Sequence, residues 1–513
     1  MSVVVSSAAL SGLEAVKIDV EVDSFPGLHF FNIVGLPDKS VEESKDRLDS
    51  AIRNSGLINP KSKNLRIIVN LAPANIKKEG SSFDLPITIG YLAATLQIKL
   101  DPKKARLFTG ELSLDGSLRP VNGILSMAIL ANKMGFYEIL VPKPNAKEAA
   151  LVNNIRVVGI SNLKELVSYL KNEIEIEPEK QTPWNQIIHN NQENDYDFAN
   201  IKGQEGAKRA LLVAAAGGHN ILMFGPPGSG KTILARALAT ILPPMNREEA
   251  MDVTKIYSVA GLTKEKPFIN QRPFRSPHHT VSAPGIIGGG SIPHPGEISL
   301  AHRGVLFLDE LPEFQRNVLE SLRQPLEEGH VTVARASGSS HFPARFMLIA
   351  SMNPCPCGNF GSETETCLCS PANVVRYKKK ISGPLLDRID IQIYVSRETF
   401  ANLKNTSASE SSFEIRKKVE KAREVQAERL KKYNILTNSE VGFRNIHKIC
   451  NLTPEAELIL GRFVEKHGIS GRGYHRMLKI SRTIADLENS DTITANHIKE
   501  AVGFRLHDLG KMA

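Results

Sequence analysis

The stretch Gly225-Pro226-Pro227-Gly228-Ser229-Gly230-Lys231-Thr232 (GPPGSGKT) decides the fold of this chain. It fits the pattern GxxxxGK[ST], and it stands between the apolar run ILMF at 221–224 and a segment with helical spacing. Glycines let the backbone wrap around phosphates, so that N–H groups and a helix N-terminus face the anion. In such a loop Lys231 holds the β and γ phosphates of ATP, and Thr232 ligates Mg²⁺. The flanking strand and helix disfavour a chance match, and we predict an α/β core with a parallel sheet.

A second motif, Val305-Leu-Phe-Leu-Asp309-Glu310, is an apolar strand that ends in two acids. Asp309 can orient Mg²⁺ and Glu310 can polarise the attacking water, which is the arrangement of a Walker B motif. A strand that merely ends in a polar turn is the alternative, and the preceding phosphate-binding loop weighs against it. A further apolar run at 346–351 leads to Asn353, whose side chain can position the water.

Four of the five cysteines are crowded into one short segment. They are arranged as Cys355-Pro-Cys357, nine intervening residues, and Cys367-Leu-Cys369. Four thiolates suit tetrahedral Zn²⁺, although the C-x-C spacing is tighter than the usual one. Free buried thiols are the main alternative, and a reducing compartment disfavours a disulfide. Cys450 stands alone, and we predict that it is buried.

The whole chain has the composition of an ordinary folded protein, with 513 residues, 41% hydrophobic and 23% charged. No apolar run reaches the roughly 18 residues of a membrane span, and the N-terminus lacks the basic region of a signal peptide. We therefore expect a cytoplasmic protein without a membrane partner. The formal charge of +9 favours a polyanionic partner, while solvated lysine faces explain such a charge equally well.

Four segments can be separated along the chain. Residues 1–172 show mixed α/β patterns, with strand period in VKIDVEV and helical spacing in VEESKDRLDSAIRNSG. Residues 173–195 are acidic and then rich in Asn and Gln, which is typical of a linker. Residues 196–397 hold the nucleotide motifs, and 398–513 carry long charged helical patterns that predict an all-α lid.

Five stretches together carry a resemblance: GPPGSGKT, GVLFLDELPEF, LIASMNPCPCG, GPLLDRIDI and SGRGYHRMLKISRTIADL. The chain resembles the magnesium-chelatase-like AAA+ ATPases of the ComM/YifB family over essentially its whole length. The resemblance implies that Asn353 is sensor 1, that Arg388 is a finger completing a neighbour's site, and that Arg472 is the sensor 2 arginine. Each arginine has an alternative as a surface or capping charge. A finger acting across an interface implies a homo-oligomeric ring, a hexamer by family analogy.

The N-terminal segment resembles the Lon-type proteolytic fold, used without proteolysis in some recombination ATPases. The serine–lysine chemistry of that fold needs an amine to accept the hydroxyl proton. Ser82 falls where the nucleophile would lie, but Leu125 stands where the lysine belongs. We therefore expect a binding or ring-stabilising domain rather than a protease.

Two insertions are expected to face a substrate. They are the glycine-rich SAPGIIGGGSIPHPGEISLAH at 282–302 and HVTVARASGSSHF at 330–342, which predicts a hairpin. The resemblance places such insertions at the channel of the ring. Candidate phosphate contacts are Arg335, His341, Arg272, Arg275, His278 and His279; for the histidines an ordinary loop role is the alternative.

The sequence thus predicts an ATP- and Mg²⁺-dependent motor acting on DNA, single-stranded or branched, with little sequence preference. The resemblance associates this activity with helicase or branch migration in homologous recombination and in competence, the uptake of transforming DNA. A motor subunit of a magnesium-chelatase-type complex is the alternative, and the Lon-like domain and the cysteines weigh against it. An ATP-dependent protease is weakened by Leu125.

Overall fold

The computed structural model describes residues 2–181, 196–290, 293–335, 338–361, 365–398 and 410–505, without the side chains of 334, 335 and 338. The chain divides into two compact units. The first comprises Met1–Asn190, Asn246–Asn270 and Ala334–Phe342, and the second comprises Asn191–Met245, Gln271–Val333 and Pro343–Ala513. The segment boundaries at 172, 195 and 397 remain predictions. In the described ranges, no helix combines the length and apolar character that crossing a bilayer requires.

The first unit is built on a seven-stranded mixed sheet with the order β3-β4-β2-β1-β5-β8-β9. The predicted strands are present, and alternate residues such as Ile18, Val20 and Val22 on β2 are fully buried. The strands of this unit are β1 (Val3–Ser11), β2 (Glu14–Pro26), β3 (Phe30–Val34), β4 (Leu65–Ala72), β5 (Arg106–Phe108), β6 (Glu111–Leu112), β7 (Leu118–Arg119), β8 (Glu138–Pro142) and β9 (Arg156–Ile160).

The helices of the first unit include one contributed from far along the chain. They are Lys39–Glu42, Ser44–Asn54, Asp84–Ala94, Ile124–Lys133, Ala146–Ala149, Leu163–Leu170 and the inserted Arg247–Val259. Buried Glu148 joins the insert to its unit, because its carboxylate accepts hydrogen bonds from Leu125 N at 3.1 Å, from Thr263 Oγ1 at 2.8 Å and from Ser258 Oγ. Burial raises the pKa of Glu148. The side chain of Leu125 lies in the hydrophobic core, whereas Ser82 is half-buried in a short turn.

The second unit contains a five-stranded sheet with the order β11-β14-β17-β10-β18, and every pair in it is parallel. This confirms the predicted parallel α/β core. Its strands are β10 (Ile221–Phe224), β11 (Phe274–Arg275), β14 (Val305–Leu308), β17 (Met347–Met352) and β18 (Ile391–Tyr394). Two small hairpins lie in the predicted insertions: β12 (Gly288–Gly289) with β13 (His294–Pro295), and β15 (His330–Arg335) with β16 (Gly338–Pro343).

Helices flank this sheet, and the described part of the C-terminal region contains helices joined by loops and no named strand. They are Glu205–Gly217, Lys231–Ile241, Ala283–Ile287, Glu297–Leu300, Arg316–Ser321, Arg323–Glu328, Pro371–Lys378, Gly383–Leu386, Ser412–Leu430, Ile446–Ile449, Pro454–His467, Gly471–Leu487 and Ala495–Gly503. The Ser412–Leu430 helix begins with a reciprocal capping box between Ser411 and Glu414. Its Ile415 and Val419, four residues apart, pack into the same hydrophobic core as β10.

Candidate nucleotide-binding site

Three motif residues meet because the strands that precede them are parallel neighbours. Phe224 at the end of β10 pairs with Met352 at the end of β17, and Leu308 at the end of β14 pairs with Ala350 of β17. The residues that follow are Gly225, Asp309 and Asn353, which therefore emerge at one edge of the sheet. In open parallel sheets ligands bind outside this carboxyl edge.

The phosphate-binding loop, residues 225–232, wraps around the amine of Lys231. Lys231 Nζ donates hydrogen bonds to the carbonyl oxygens of Gly225 at 2.8 Å and Pro226 at 2.9 Å, and it lies 3.3 Å from Asn353 Oδ1. Burial lowers the pKa of Lys231 to about 8, opposed by the carboxylates of Asp309 and Glu310. The amine is thus held at the N-terminus of the Lys231–Ile241 helix, a position that favours an anion.

Glycine is required at the start of this loop. A Cβ on Gly225 would lie 2.1 Å from the carbonyl oxygen of Val395, so no larger residue fits beside β18. Gly228 and Gly230 have φ of +75° and +87°, and nothing lies within 4 Å of a Cβ built on either. These two glycines turn the backbone without filling the space that a phosphate chain needs.

The Mg²⁺ ligands expected from the sequence are adjacent. Thr232 Oγ1 donates a hydrogen bond to Asp309 Oδ2 at 3.0 Å. The other oxygen of Asp309 accepts from Ser351 Oγ, and the backbone N–H of Glu310 lies 3.3 Å from the same hydroxyl. Ser351 therefore orients the side chain of Asp309 and holds the backbone of Glu310, a role that was not predicted from the sequence. Its position two residues before Asn353 is the signal that could have indicated it.

Glu310 has an unusual backbone conformation and a neighbour from the segment that follows β11. Its φ of +54° places it in the left-handed region, where a non-glycine residue is uncommon. Nδ1 of His279 lies 3.8 Å from Glu310 Oε2. The ring of His279 lies beside that of His278, with centroids 4.1 Å apart and planes tilted by 33°, and it meets Phe314 edge-on at 6.5 Å. His279 is one of the candidate phosphate contacts predicted from the sequence, whereas in the structure it lies beside the carboxylate of Glu310.

The two arginines assigned by resemblance converge on one carboxylate. Nη2 of Arg388 pairs with Glu327 Oε1, and Nη2 of Arg472 lies 3.8 Å from the same oxygen. The hydrogen bond from Arg388 lowers the pKa of Glu327. The side chain of Arg388 is 10% exposed and that of Arg472 is 54% exposed. In the single chain, both arginines therefore form ion pairs with Glu327.

The cysteine loop, whose described residues are 355–361 and 365–369, brings its four thiols together. All four Sγ atoms, of Cys355, Cys357, Cys367 and Cys369, lie within 4.8 Å of one another, and the group could hold a metal ion. Sγ of Cys355 is 3.3 Å from Cys357 and 3.7 Å from Cys367, and the last two are 3.6 Å apart. Hydrogen bonds, the largest contribution coming from the backbone of Asn359, lower the pKa of Cys357 to about 6. Cys450 is buried elsewhere, as predicted.

Several candidate phosphate contacts are already engaged. Arg272 donates to the carbonyl oxygens of Pro243 at 2.6 Å and Arg303 at 2.7 Å. Arg275 makes two hydrogen bonds to the carboxylate of Glu297, at 2.6 and 2.7 Å. His278 contacts Thr280, and His341 is exposed on the hairpin. The side chain of Arg335 lies outside the described part of the chain.

Comparison with known proteins relates the whole chain to one group. The profile "Magnesium chelatase, subunit ChlI" matches residues 197–403, "Subunit ChlI of Mg-chelatase" matches 20–145, and "Magnesium chelatase, subunit ChlI C-terminal" matches 409–505. Competence protein ComM of Haemophilus influenzae is 44% identical over 506 residues, covering 98% of this chain and 97% of that protein. YifB of Escherichia coli is 41% identical over 509 residues, covering 99% and 97%. The magnesium-chelatase 38 kDa subunit of Rhodobacter capsulatus is 31% identical over 176 residues, covering 31% and 50%.

Proposed function

This chain belongs to the ComM/YifB family of magnesium-chelatase-like AAA+ proteins, and on that premise we propose that it is an ATP-hydrolysing ring motor that moves on DNA. The motor would carry out branch migration or helicase activity in homologous recombination and natural transformation. The observation that carries the ATPase part is the convergence of Lys231, Thr232, Asp309, Glu310 and Asn353 at one edge of a parallel sheet. The DNA part rests on the name of the competence protein and on its match over nearly the full length.

Each residue of the site has a separate task in this proposal. The N–H groups of residues 225–232 and the amine of Lys231 would bind the phosphates, with the amine leaving the carbonyls of Gly225 and Pro226. Thr232 and Asp309 would hold Mg²⁺, which neutralises charge on the phosphates. Glu310 would accept a proton from water that Asn353 positions.

Arginines would complete the site in an assembled homo-oligomer, which we take to be a hexamer. Arg388 would reach the γ phosphate bound by a neighbouring subunit, and Arg472 would contact nucleotide from the helical region. Both would have to leave Glu327, which holds them in the single chain. Release from Glu327 would then accompany assembly or nucleotide binding.

The cysteine loop fits a structural Zn²⁺ site. Zn–S bonds of about 2.3 Å in a tetrahedron separate the sulfurs by about 3.8 Å. The three Sγ separations of 3.3, 3.6 and 3.7 Å are close to this value. We therefore include Zn²⁺ among the cofactors, with Cys355, Cys357, Cys367 and Cys369 as its ligands.

The alternative function is that of a motor subunit in a magnesium-chelatase-type complex. All three matching profiles describe the chelatase subunit, which favours this alternative. The chelatase subunit of R. capsulatus, however, aligns with only 31% of this chain, whereas ComM aligns with 98%. The longer match supports the DNA motor.

One experiment separates the two functions. The ATPase rate of the full chain is measured without DNA, with linear duplex and with forked or four-way junctions, using Glu310→Gln as the inactive control. We expect branched DNA to stimulate hydrolysis, with binding that weakens steeply as salt rises because phosphate contacts dominate. An active ATPase whose rate is the same with every DNA would rule out the DNA motor and favour the chelatase-type subunit.

A further inference from the structure

The cysteine loop packs directly against the phosphate-binding loop. Gly358 lies between the two cysteine pairs and has φ of +85°. A Cβ on Gly358 would lie 2.6 Å from Cδ and 3.0 Å from Cγ of Pro227. Since Cβ atoms do not approach other atoms this closely, only glycine fits while Pro227 keeps its position. The ring of Pro227 thus rests on the backbone of the cysteine loop.

A second contact joins the same two loops. Nε of Arg397 donates a hydrogen bond to the carbonyl oxygen of Pro227 at 3.2 Å, and its Nη1 pairs with Glu365 Oε1 at 2.6 Å. Glu365 stands two residues before Cys367. Pro227 is therefore contacted at its ring by the cysteine loop, and at its carbonyl by an arginine paired with that loop.

The cysteine loop also begins at the nucleotide site. Cys355 follows Asn353 by two residues, and Oδ1 of Asn353 lies 3.3 Å from the amine of Lys231. Cys355 is buried while Cys357 is exposed. The cluster of four thiols therefore extends from the nucleotide site to the protein surface. A metal bound by all four thiols would restrict the loop, because ligands from both of its ends become linked to one ion.

We propose that metal binding by the four cysteines sets the conformation of the phosphate-binding loop through Gly358 and Pro227, so that metal occupancy determines nucleotide affinity. This inference rests on the zinc site proposed above. Without the metal, the phosphate-binding loop of some molecules has a conformation that does not bind nucleotide. The apparent Kd then equals the intrinsic Kd divided by the fraction of molecules that can bind. A competent fraction of about one in ten raises the Kd about tenfold.

The first test uses the full chain and zinc itself. Protein purified without chelator is analysed for zinc, and the Kd of a fluorescent ATP analogue is measured with Mg²⁺ before zinc removal, after removal by a zinc-selective chelator, and after Zn²⁺ is added back. We expect about one zinc per chain, and an affinity that falls about tenfold on removal and returns on addition. Unchanged affinity in the zinc-free protein overturns the proposal, and so does a chain that takes up no zinc.

The second test separates the contact from general unfolding. Gly358→Ala and Gly361→Ala both place alanine at positive φ, +85° and +77°, but a Cβ on Gly361 meets nothing within 4 Å. We expect both variants to keep zinc and their circular dichroism, and only Gly358→Ala to lose affinity, again about tenfold. Equal nucleotide affinities in the two variants contradict the proposal. Because DNA is absent from both tests, a failure of DNA-stimulated hydrolysis would leave this result standing.

Discussion

Lys231 and Glu310 have different tasks in the proposed function, binding of the phosphates and activation of water, so we expect their substitutions to have different consequences. Lys231→Ala removes the cation from the phosphate-binding loop, and we expect it to abolish measurable nucleotide binding. Glu310→Gln keeps the shape of the side chain but removes the base, and we expect normal affinity with hydrolysis lowered by about 10²- to 10⁴-fold. Fluorescent-nucleotide titration and phosphate release measure the two quantities. If Lys231→Ala binds ATP as tightly as the wild type, the assignment of the phosphate-binding loop is wrong.

His302 gives the fold a predictable acid sensitivity. It is buried just before β14, and its Nδ1 accepts a hydrogen bond from the backbone N–H of Arg345 at 3.0 Å. Burial lowers the pKa of His302 to about 3, helped by the charges of Arg303 and Arg345. In the unfolded chain its pKa is about 6.5. Between these values the unfolded state binds the extra proton, so stability is full above pH 6.5 and is lost as the pH falls below it.

The expected slope is at most about 1.4 kcal/mol per pH unit from this group. His302→Gln keeps an acceptor that does not titrate, so its unfolding midpoint in urea should fall less than that of the wild type between pH 7 and pH 5. Exposed His294 provides the control, and His294→Gln should retain the acid sensitivity of the wild type. Identical pH profiles for His302→Gln and the wild type would exclude His302 as the cause.

At the same scale, the sequence could predict residues that lie together in the chain but not their partners in space. Thr232 and Asp309 belong to local motifs, and the structure places them in hydrogen-bond contact. Ser351 and His279 reach the two acids from β17 and from the segment after β11, and this proximity follows from strand order. Hydroxyls at the ends of strands are common, so only the position of Ser351 two residues before Asn353 points to it in the sequence.

At the scale of elements, buried Asp486 joins two helices and a loop of the C-terminal region. Its carboxylate pairs with Arg429 at 2.6 Å and Arg482 at 3.0 Å, and it accepts a hydrogen bond from Asn438 at 2.8 Å. Asp486 is 1% exposed and Arg482 is 2% exposed. Asp486→Ala leaves two guanidinium groups without their carboxylate, and we expect a loss of about 3–5 kcal/mol.

Thermal unfolding of the full chain measures this loss, with exposed Glu428 on the Ser412–Leu430 helix as the matched acid. Glu428→Ala should change the unfolding midpoint little, because surface charges contribute about 0–1 kcal/mol. A midpoint for Asp486→Ala equal to that of Glu428→Ala would show that the carboxylate does not join these elements.

Element types could be predicted where side-chain period is strong, as in β2 and the Ser412–Leu430 helix. The sequence could not predict that the Arg247–Val259 helix belongs to the first unit. This grouping depends on contacts of Glu148 with Ser258 and Thr263, more than 100 residues apart in the chain. A lone acid gives no sign in the sequence that it will be buried, because its partners come from a distant segment.

At the scale of the whole molecule, the proposed ring makes each active site depend on two subunits. Subunits joined by a repeating head-to-tail interface form a closed ring when the rotations from each subunit to the next add up to a full turn. In the proposed ring, Glu310 would act on nucleotide bound by its own subunit, whereas Arg388 would act on nucleotide bound by a neighbour. The two residues should therefore complement each other when they are mutated in different subunits.

We expect Arg388→Ala to lower hydrolysis by about 10³- to 10⁵-fold, because a fixed guanidinium charge stabilises the transferring phosphoryl group. Equal mixing of Arg388→Ala and Glu310→Gln subunits should restore activity at about one quarter of the sites, where an intact Glu310 meets an intact neighbouring Arg388. Exposed Arg462 supplies the control. Because an exposed surface charge contributes little, Arg462→Ala should hydrolyse ATP at the normal rate. Phosphate release is followed against mixing ratio. If the mixture is no more active than either variant alone, Arg388 acts within its own subunit, in keeping with its contact to Glu327 in the single chain.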